Sequence, residues 1–339
     1  MNASIAVQQK QLPVSDFVGV TLRCPRCTGK MNIPINLADL AVDKRECAIC
    51  GWVMQAIDGI WRAVLPGRAN QIAASLSAYE AVRETEGRWS EDPQFYRQLP
   101  WKDTTGRFAS QWEIRARSFD FVREQMLPNC AKNFEKQRLH VLDLGAGNCW
   151  MSYRLALFGH LPVAVDIGAG RKDGLGAARH YEKVLRNLFP RFQAEMHCLP
   201  FADRQFDVAI YNASFHYAQD YEGTLLEAVR VLRPGGTILI VDSPTYSREA
   251  DGEAMKREKA AEFTRRFGTD SGGMGGQEYL TPDRLARLER VGIRWRRYSP
   301  WYGWRWAIRP LTASFTGRRR PSRFYVYAGT LAPGVTEAE

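Results

Sequence analysis

The chain has 339 residues, 45% hydrophobic and 25% charged, ordinary globular proportions that exclude a disordered or fibrous protein. Lysine plus arginine number 47 against 37 acidic residues, a formal charge of +10. That balance suits nucleic acid, phospholipid headgroups or a phosphorylated small molecule, without choosing among them.

Apolar runs such as Thr237–Val241 fall far short of the roughly 18–20 residues that cross a bilayer. Met1–Val20 has no basic region followed by a long apolar stretch, so no transmembrane segment, no secretory signal and a cytoplasmic location are expected. Residues 1–19 read as an N-terminal tail.

Seven cysteines follow, four of them in two CxxC pairs: Cys24 and Cys27 in LRCPRCTGK, Cys47 and Cys50 in RECAICGWV. The 19 residues between the pairs fall in the zinc-ribbon range, and each pair can grip one face of a tetrahedral ion. Gly29 and Gly51 stand where a tight turn aims amides at the sulfurs. Residues 20–66 are therefore expected to form a small independent module around a structural Zn2+, with redox-active dithiols as the competing reading. Four protein ligands leave no open position for chemistry. Cys130, Cys149 and Cys198 read as free, buried thiols. The stretches CPRC, CAICGW and QAIDGIWRAVLPG resemble the small zinc-ribbon activator of tRNA, ribosomal RNA and release-factor methyltransferases. Asp58, Gly59 and Ile60 match that family's closing turn; Trp61 stands where it usually has proline.

Residues 67–138 read as a helical linker or cap. Ala73–Arg83 suits a helix, and Gln111–Met126 is amphipathic and ends at Pro128. Glu86–Met126, with Trp89, Trp101 and Trp112, is placed as a cap over a ligand pocket. From Leu139 short apolar strands alternate with helices. Strands are expected at Leu139–Leu144, Pro162–Asp166, Phe192–His197, Phe206–Tyr211, Gly236–Val241, Ile293–Tyr298 and Arg323–Thr330. Helices are expected near Met151–Phe158, Ala177–Leu188, Tyr221–Leu232 and Pro282–Val291. Alternation at this period means an α/β fold with a parallel sheet covered on both faces. A lid over about 246–280 with a GGMGG hinge (Gly272–Gly276) and an Arg/Trp-rich insertion over about 300–321 interrupt it.

VLDLGAGNCW (Val141–Trp150) is a strand, a glycine turn and a helix start. Gly145 and Gly147 let backbone approach a ligand at a helix N-terminus. Trp150 occupies the third glycine of a dinucleotide fingerprint, and Asp143 would repel a pyrophosphate but suits a cation. NAD is therefore disfavoured. The pattern resembles class I S-adenosylmethionine-dependent methyltransferases of the type 11 group. The likeness runs on through GHLPVAVD, HCLPFADRQFDVAIYN and LLEAVRVLRPGGTILIVD; Cys149 replaces the family's third motif glycine. It implies a Rossmann-like, seven-stranded, mostly parallel domain over 139–332 that binds S-adenosyl-L-methionine. Carried over, Asp143 and the Gly145–Gly147 turn face the cofactor's amino acid part, and Asp166 holds the ribose hydroxyls. Glu195 and Met196 contact adenine, and Asn212 stands beside the methyl donor.

A sulfonium methyl is already activated, so alignment carries most of the catalysis and a general base aids a weak nucleophile. His216, just after the fourth strand, is the expected base, against a packing role in the turn; Tyr211 and Tyr217 are weaker candidates. The absence of an NPPY-like sequence argues against adenine-amine methylation. Trp301–Arg320 carries arginines and tryptophans suited to phosphate, bases or a lipid interface. The leading expectation is methylation of a small or lipid-linked acceptor, with contact to an anionic membrane surface through Trp301–Arg320. The alternatives are an RNA methyltransferase and a non-catalytic cofactor-binding scaffold.

Overall fold

The computed structural model describes residues 19–35, 43–267 and 275–331. The N-terminal tail, apart from Gly19, and Gly272–Met274 of the expected hinge lie outside them. β1 (Val20–Arg23) and β2 (Lys30–Ile35) pair antiparallel, and β3 (Lys44–Glu46), β4 (Val53–Ile57) and β5 (Ile60–Arg62) form an antiparallel meander. Asp58 and Gly59 join β4 to β5 with φ of 53° and 69°, the two left-handed positions a two-residue hairpin turn requires.

α1 (Pro66–Thr85) and α2 (Pro93–Gln98) follow, then α3 (Ala109–Phe121). The chain does not stop at Pro128 as expected. A π-helical turn at Val122–Met126 leads into α4 (Leu127–Asn133), where the proline sits in the first turn and needs no N–H partner. Next come β6 (His140–Leu144), α5 (Trp150–Leu157), β7 (Leu161–Asp166), β8 (Arg191–Gln193) and β9 (Phe206–Asn212). α6 (Tyr221–Val231), β10 (Leu232–Val241), α7 (Glu249–Phe267) and α8 (Pro282–Arg287) lead to β11 (Ile293–Tyr298). The insertion α9 (Trp304–Ala307) and α10 (Arg309–Phe315) precedes β12 (Val326–Leu331). The helix expected over Ala177–Leu188 is instead a 3-10 segment, Leu175–Tyr181, followed by turns. Tyr181 stacks on Tyr153 with ring centres 4.2 Å apart, and His180 stacks on Tyr96 at the same distance. These contacts pin the chain against α5 and α2, so tertiary packing overrides helical periodicity.

The seven strands of 139–332 do not stand alone. One ten-stranded sheet runs β11-β12-β10-β9-β6-β7-β8-β5-β4-β3, and its last three strands belong to the cysteine module. β5 joins parallel to β8, with Trp61 opposite Phe192 and Arg62 opposite Gln193. The expected independence of residues 20–66 is thus corrected: the module extends the sheet, and Leu22, Met54 and Trp61 share one core with Phe192, Phe201 and Phe206. Trp61 is buried at that junction. The second face packs α3 and α5 through Phe119, Trp150 and Tyr153 against Val141, Ala164 and Val208.

Candidate active site

Sheet order reverses between β6 and β9, and open α/β sheets bind ligands at such a crevice. A cavity of about 400 Å³ lies there, and Asp143, Gly145, Gly147, Asp166, Glu195, Met196 and Asn212 all line it. The β6–α5 turn explains the glycines. Gly145 has φ of 74°, and a Cβ on it would stand 2.2 Å from that of Ser214, whose hydroxyl donates to the carbonyl of Leu144 at 2.5 Å. Gly147 has φ of 52°. Cys149 keeps the left-handed backbone of the glycine it replaces, at φ 63°, which costs about 1 kcal/mol and leaves its side chain buried.

Asp143 is buried at the sheet end, where Ser152 donates both its amide, at 3.2 Å, and its hydroxyl, at 2.7 Å, to Oδ2. Its Oδ1 is buried without a partner, and so is Oδ1 of Asn212. Burial pushes the Asp143 carboxyl up to about 7, against the lowering effect of the Ser152 bonds. A buried carboxylate oxygen with no donor, facing a cavity, is a vacant position for a cationic group. Asp166 accepts the amides of Gly147 and Gly168 at 2.7 Å each and still reaches about 6, because burial outweighs both bonds. Those two bonds occupy half of its acceptor capacity.

The roof comes from the 67–138 stretch. α1 covers the cavity, with Arg68, Leu76, Tyr79 and Arg83 on its inner face, and Arg88, Phe108, Trp112 and Arg115 of the Glu86–Met126 segment complete the wall. Charges hold α1 down: Arg68 bonds Glu195 at 2.8 Å, Arg83 bonds Asp173 at 2.5 Å, and Glu84 pairs with Lys172. Glu195 therefore positions α1 as well as lining the cavity.

His216 is displaced from the role expected of it. It does not line the cavity, and Nδ1 lies 3.3 Å from the hydroxyl of Ser243 at the end of β10. Burial, with Lys259 and Arg115 nearby, drives its pKa down to about 3. Phe215, stacked on Tyr221 at 4.5 Å, turns this segment so that the imidazole packs inside, the structural role of a turn histidine. Of the tyrosines, Tyr217 faces the cavity and Tyr211 does not. His197, Asp173 and Arg115 also line the cavity; no motif pointed to Asp173 or Arg115, and His197 opens HCLPFADRQFDVAIYN without an assigned role. Arg115 is a missed cation: its guanidinium lies over the Trp112 ring, 4.7 Å from its centre.

At the other end of the sheet, one ligand atom from each of Cys24, Cys27, Cys47 and Cys50 lies within 4.8 Å of the others, with Sγ separations of 3.7 Å for Cys24–Cys50 and 3.5 Å for Cys27–Cys47. A tetrahedron with metal–sulfur bonds of about 2.3 Å has edges of about 3.8 Å, so the cluster is compatible with a zinc ribbon. The amides of Arg26 and Cys27 reach the Cys24 sulfur, and those of Ile49 and Cys50 reach Cys47, bonds that favour thiolates.

Residues 142–240 match the family model described as a methyltransferase domain. Together with a donor-free carboxylate beside a glycine turn at the sheet's switch point, that match decides the class. The chain carries a class I S-adenosylmethionine-dependent methyltransferase domain. Similar proteins include the demethylmenaquinone methyltransferase of Mycolicibacterium paratuberculosis, 29% identical over 168 residues, which cover 46% of this chain and 69% of that one. The demethylmenaquinone methyltransferase of Thermus thermophilus is 31% identical over 147 residues, 43% of this chain and 66% of that one. The methyltransferase thus spans about two thirds of the length of these curated relatives. Among solved structures, the Burkholderia thailandensis 1,6-didemethyltoxoflavin-N1-methyltransferase covers 86% of this chain and 100% of that one, at 15% identity and a TM-score of 0.45. Among the described residues no helix is long and apolar enough to cross a membrane.

Proposed function

We propose that this methyltransferase transfers a methyl group to a small, planar, lipid-linked acceptor of the quinone type. The aromatic lining of the cavity supports this most directly. α1 roofs it, and Phe108, Trp112, Tyr79 and Tyr217 supply ring faces, a setting for one flat molecule and not for a base within a long strand. The names of the demethylmenaquinone methyltransferases point the same way.

S-adenosylmethionine supplies an activated methyl on a sulfonium. In this reading Asp143 Oδ1 takes the cofactor's ammonium, the Gly145–Gly147 turn lets its amino acid part approach, and Asp166 uses its remaining acceptor capacity for the ribose. Glu195 and Met196 flank the adenine, and Asn212 turns its unpaired oxygen toward the reacting end. Alignment by these groups contributes most of the rate, roughly 7–11 kcal/mol at its upper range. Arg115 would hold an acceptor oxygen made anionic by loss of its proton to solvent before the methyl arrives, which leaves the acceptor electron-rich enough to attack. Four thiolates, Cys24, Cys27, Cys47 and Cys50, hold a structural zinc.

The test uses purified chain and methyl-labelled cofactor with cell extract. Label in the organic-extractable fraction is expected. Label that follows RNA and disappears with ribonuclease would replace this reading with the RNA one.

A further inference from the structure

α9 and α10 carry a surface that neither the cofactor nor the cavity uses. Trp304, Ile308, Leu311 and Phe315 are spaced three and four residues apart, so they share one face of the helical run, and Trp301 stands just ahead of it with its ring centre 5.3 Å from that of Trp304. All five are exposed: Trp304 is 77% and Phe315 90% accessible. The opposite face is anchored. Ala313 is buried, Trp306 stacks on Phe324 with ring centres 5.2 Å apart, and Arg309 lies 3.8 Å from the centre of the Trp306 ring. The apolar side chains are therefore held outward by a fixed scaffold. An exposed apolar row of this size on a water-facing helix needs a covering surface.

Charge selects the occupant. Val291–Arg323 holds nine arginines and no acidic residue. Arg305, Arg318, Arg320 and Arg323, all exposed, flank the stripe; among the described residues only Arg319 of the nine forms an ion pair, with Glu258 at 2.8 Å. Aliphatic Ile308 and Leu311 in the middle of the row do not stack on bases, whereas a mixed aromatic and aliphatic stripe rimmed by arginines fits the headgroup–acyl boundary of a bilayer. We propose that α9–α10 docks the methyltransferase on an anionic lipid surface, with the stripe in the acyl boundary and the arginines at the phosphates.

The docking segment is wired to the cavity wall. The hydroxyl of Tyr302 lies 2.9 Å from that of Ser118 on α3, and Arg117 of α3 donates to the carbonyl of Trp301 at 3.3 Å. α3 also carries Trp112 and Arg115, so the surface that meets the bilayer and the wall that meets the acceptor are one rigid unit. The inference rests on the lipid-linked reading of the acceptor.

The experiment is flotation of the full chain with phosphatidylcholine vesicles, with and without phosphatidylglycerol. Anionic vesicles should bind at least about tenfold more tightly, since each arginine near the surface contributes about 1 kcal/mol. Brominated acyl chains should quench tryptophan fluorescence. A Trp304→Glu, Phe315→Glu variant should lose about tenfold or more of this affinity while its melting temperature and cofactor binding stay unchanged. Equal binding to both vesicles, or full retention by the double variant, overturns the proposal; so does salt-steep RNA binding without vesicle binding. Vesicle binding without label in the extractable fraction would keep this surface and remove the lipid-linked acceptor. Label without vesicle binding would do the reverse.

Discussion

The floor and the roof of the cavity are built on opposite principles. The floor is the end of a buried sheet: Asp143 and Cys149 are almost inaccessible, and the Gly145–Gly147 turn is fixed by backbone conformation and by Ser214 against Leu144. The roof, α1, has no buried residue at all and is held by Arg68–Glu195, Arg83–Asp173 and Lys172–Glu84. Packing of the first kind is rigid and insensitive to salt. Of the ion pairs, the exposed Lys172–Glu84 contributes little and weakens with ionic strength, while the more sheltered Arg83–Asp173 is screened less. A site with a fixed floor and a roof that releases suits a reaction in which a bulky cofactor must enter and its demethylated product must leave.

The comparison can be broken in graded steps. The largest effect is expected from zinc removal. β5 is hydrogen-bonded to β8, so chelation, or Cys47→Ser, should destabilise the methyltransferase sheet along with the ribbon, by several kcal/mol in thermal unfolding. A ribbon that melts alone while cofactor binding persists would mean that the shared core does not couple them. Next, Asp143→Asn should weaken cofactor affinity by about 100-fold in calorimetry, the loss of one buried charge-assisted bond of roughly 2–3 kcal/mol, with the fold intact.

The same residue sets a pH window. Burial pushes its carboxyl up to about 7 in the fold, above the ordinary aspartate value of 3.8. Between these values the unfolded chain has released a proton that the fold retains, so Asp143's contribution to stability is full below about 4 and is lost as pH rises to about 7. Binding of a cation needs the ionised form, so cofactor affinity should rise over the upper part of that range. The Asn variant should reduce both trends, read from unfolding and from titration, and leave the part that Asp166 and Asp242, raised to about 6 by burial, contribute to stability. Smaller still, Arg68→Ala should raise the cofactor dissociation constant about three- to fivefold, and high salt should erase most of the difference. His216→Gln should lower the melting temperature but change turnover less than about twofold. A large loss of turnover with an acid limb removed from the pH profile would restore it as a base.

Much of the floor was legible in the residues because its requirements are local. A strand carrying Asp143 near its end, a turn that tolerates only left-handed backbone, and a carboxylate at Asp166 recur at set spacings, and the spacing of the paired cysteines announces their cluster. The roof left no such trace. α1 reads as an ordinary polar helix, and Arg115 and Asp173 stand in no motif; with His197 they meet only because distant segments fold over one sheet end. The burial of His216 away from the cavity has the same origin. Position after the fourth strand was right, but which way the imidazole turned depended on Phe215 stacking on Tyr221.

Residue order therefore settled the strand–helix alternation, the glycine turn and the cysteine cluster, since periodicity, backbone freedom and ligand spacing act within a few residues. Only packing in three dimensions decided that the cysteine module is an extension of the sheet, that α1 and the aromatic stretch after it close the cavity together, and that Trp301 and four apolar side chains of the α9–α10 run point outward. Each of those outcomes depends on which surfaces compete for burial, a contest among segments far apart in the chain.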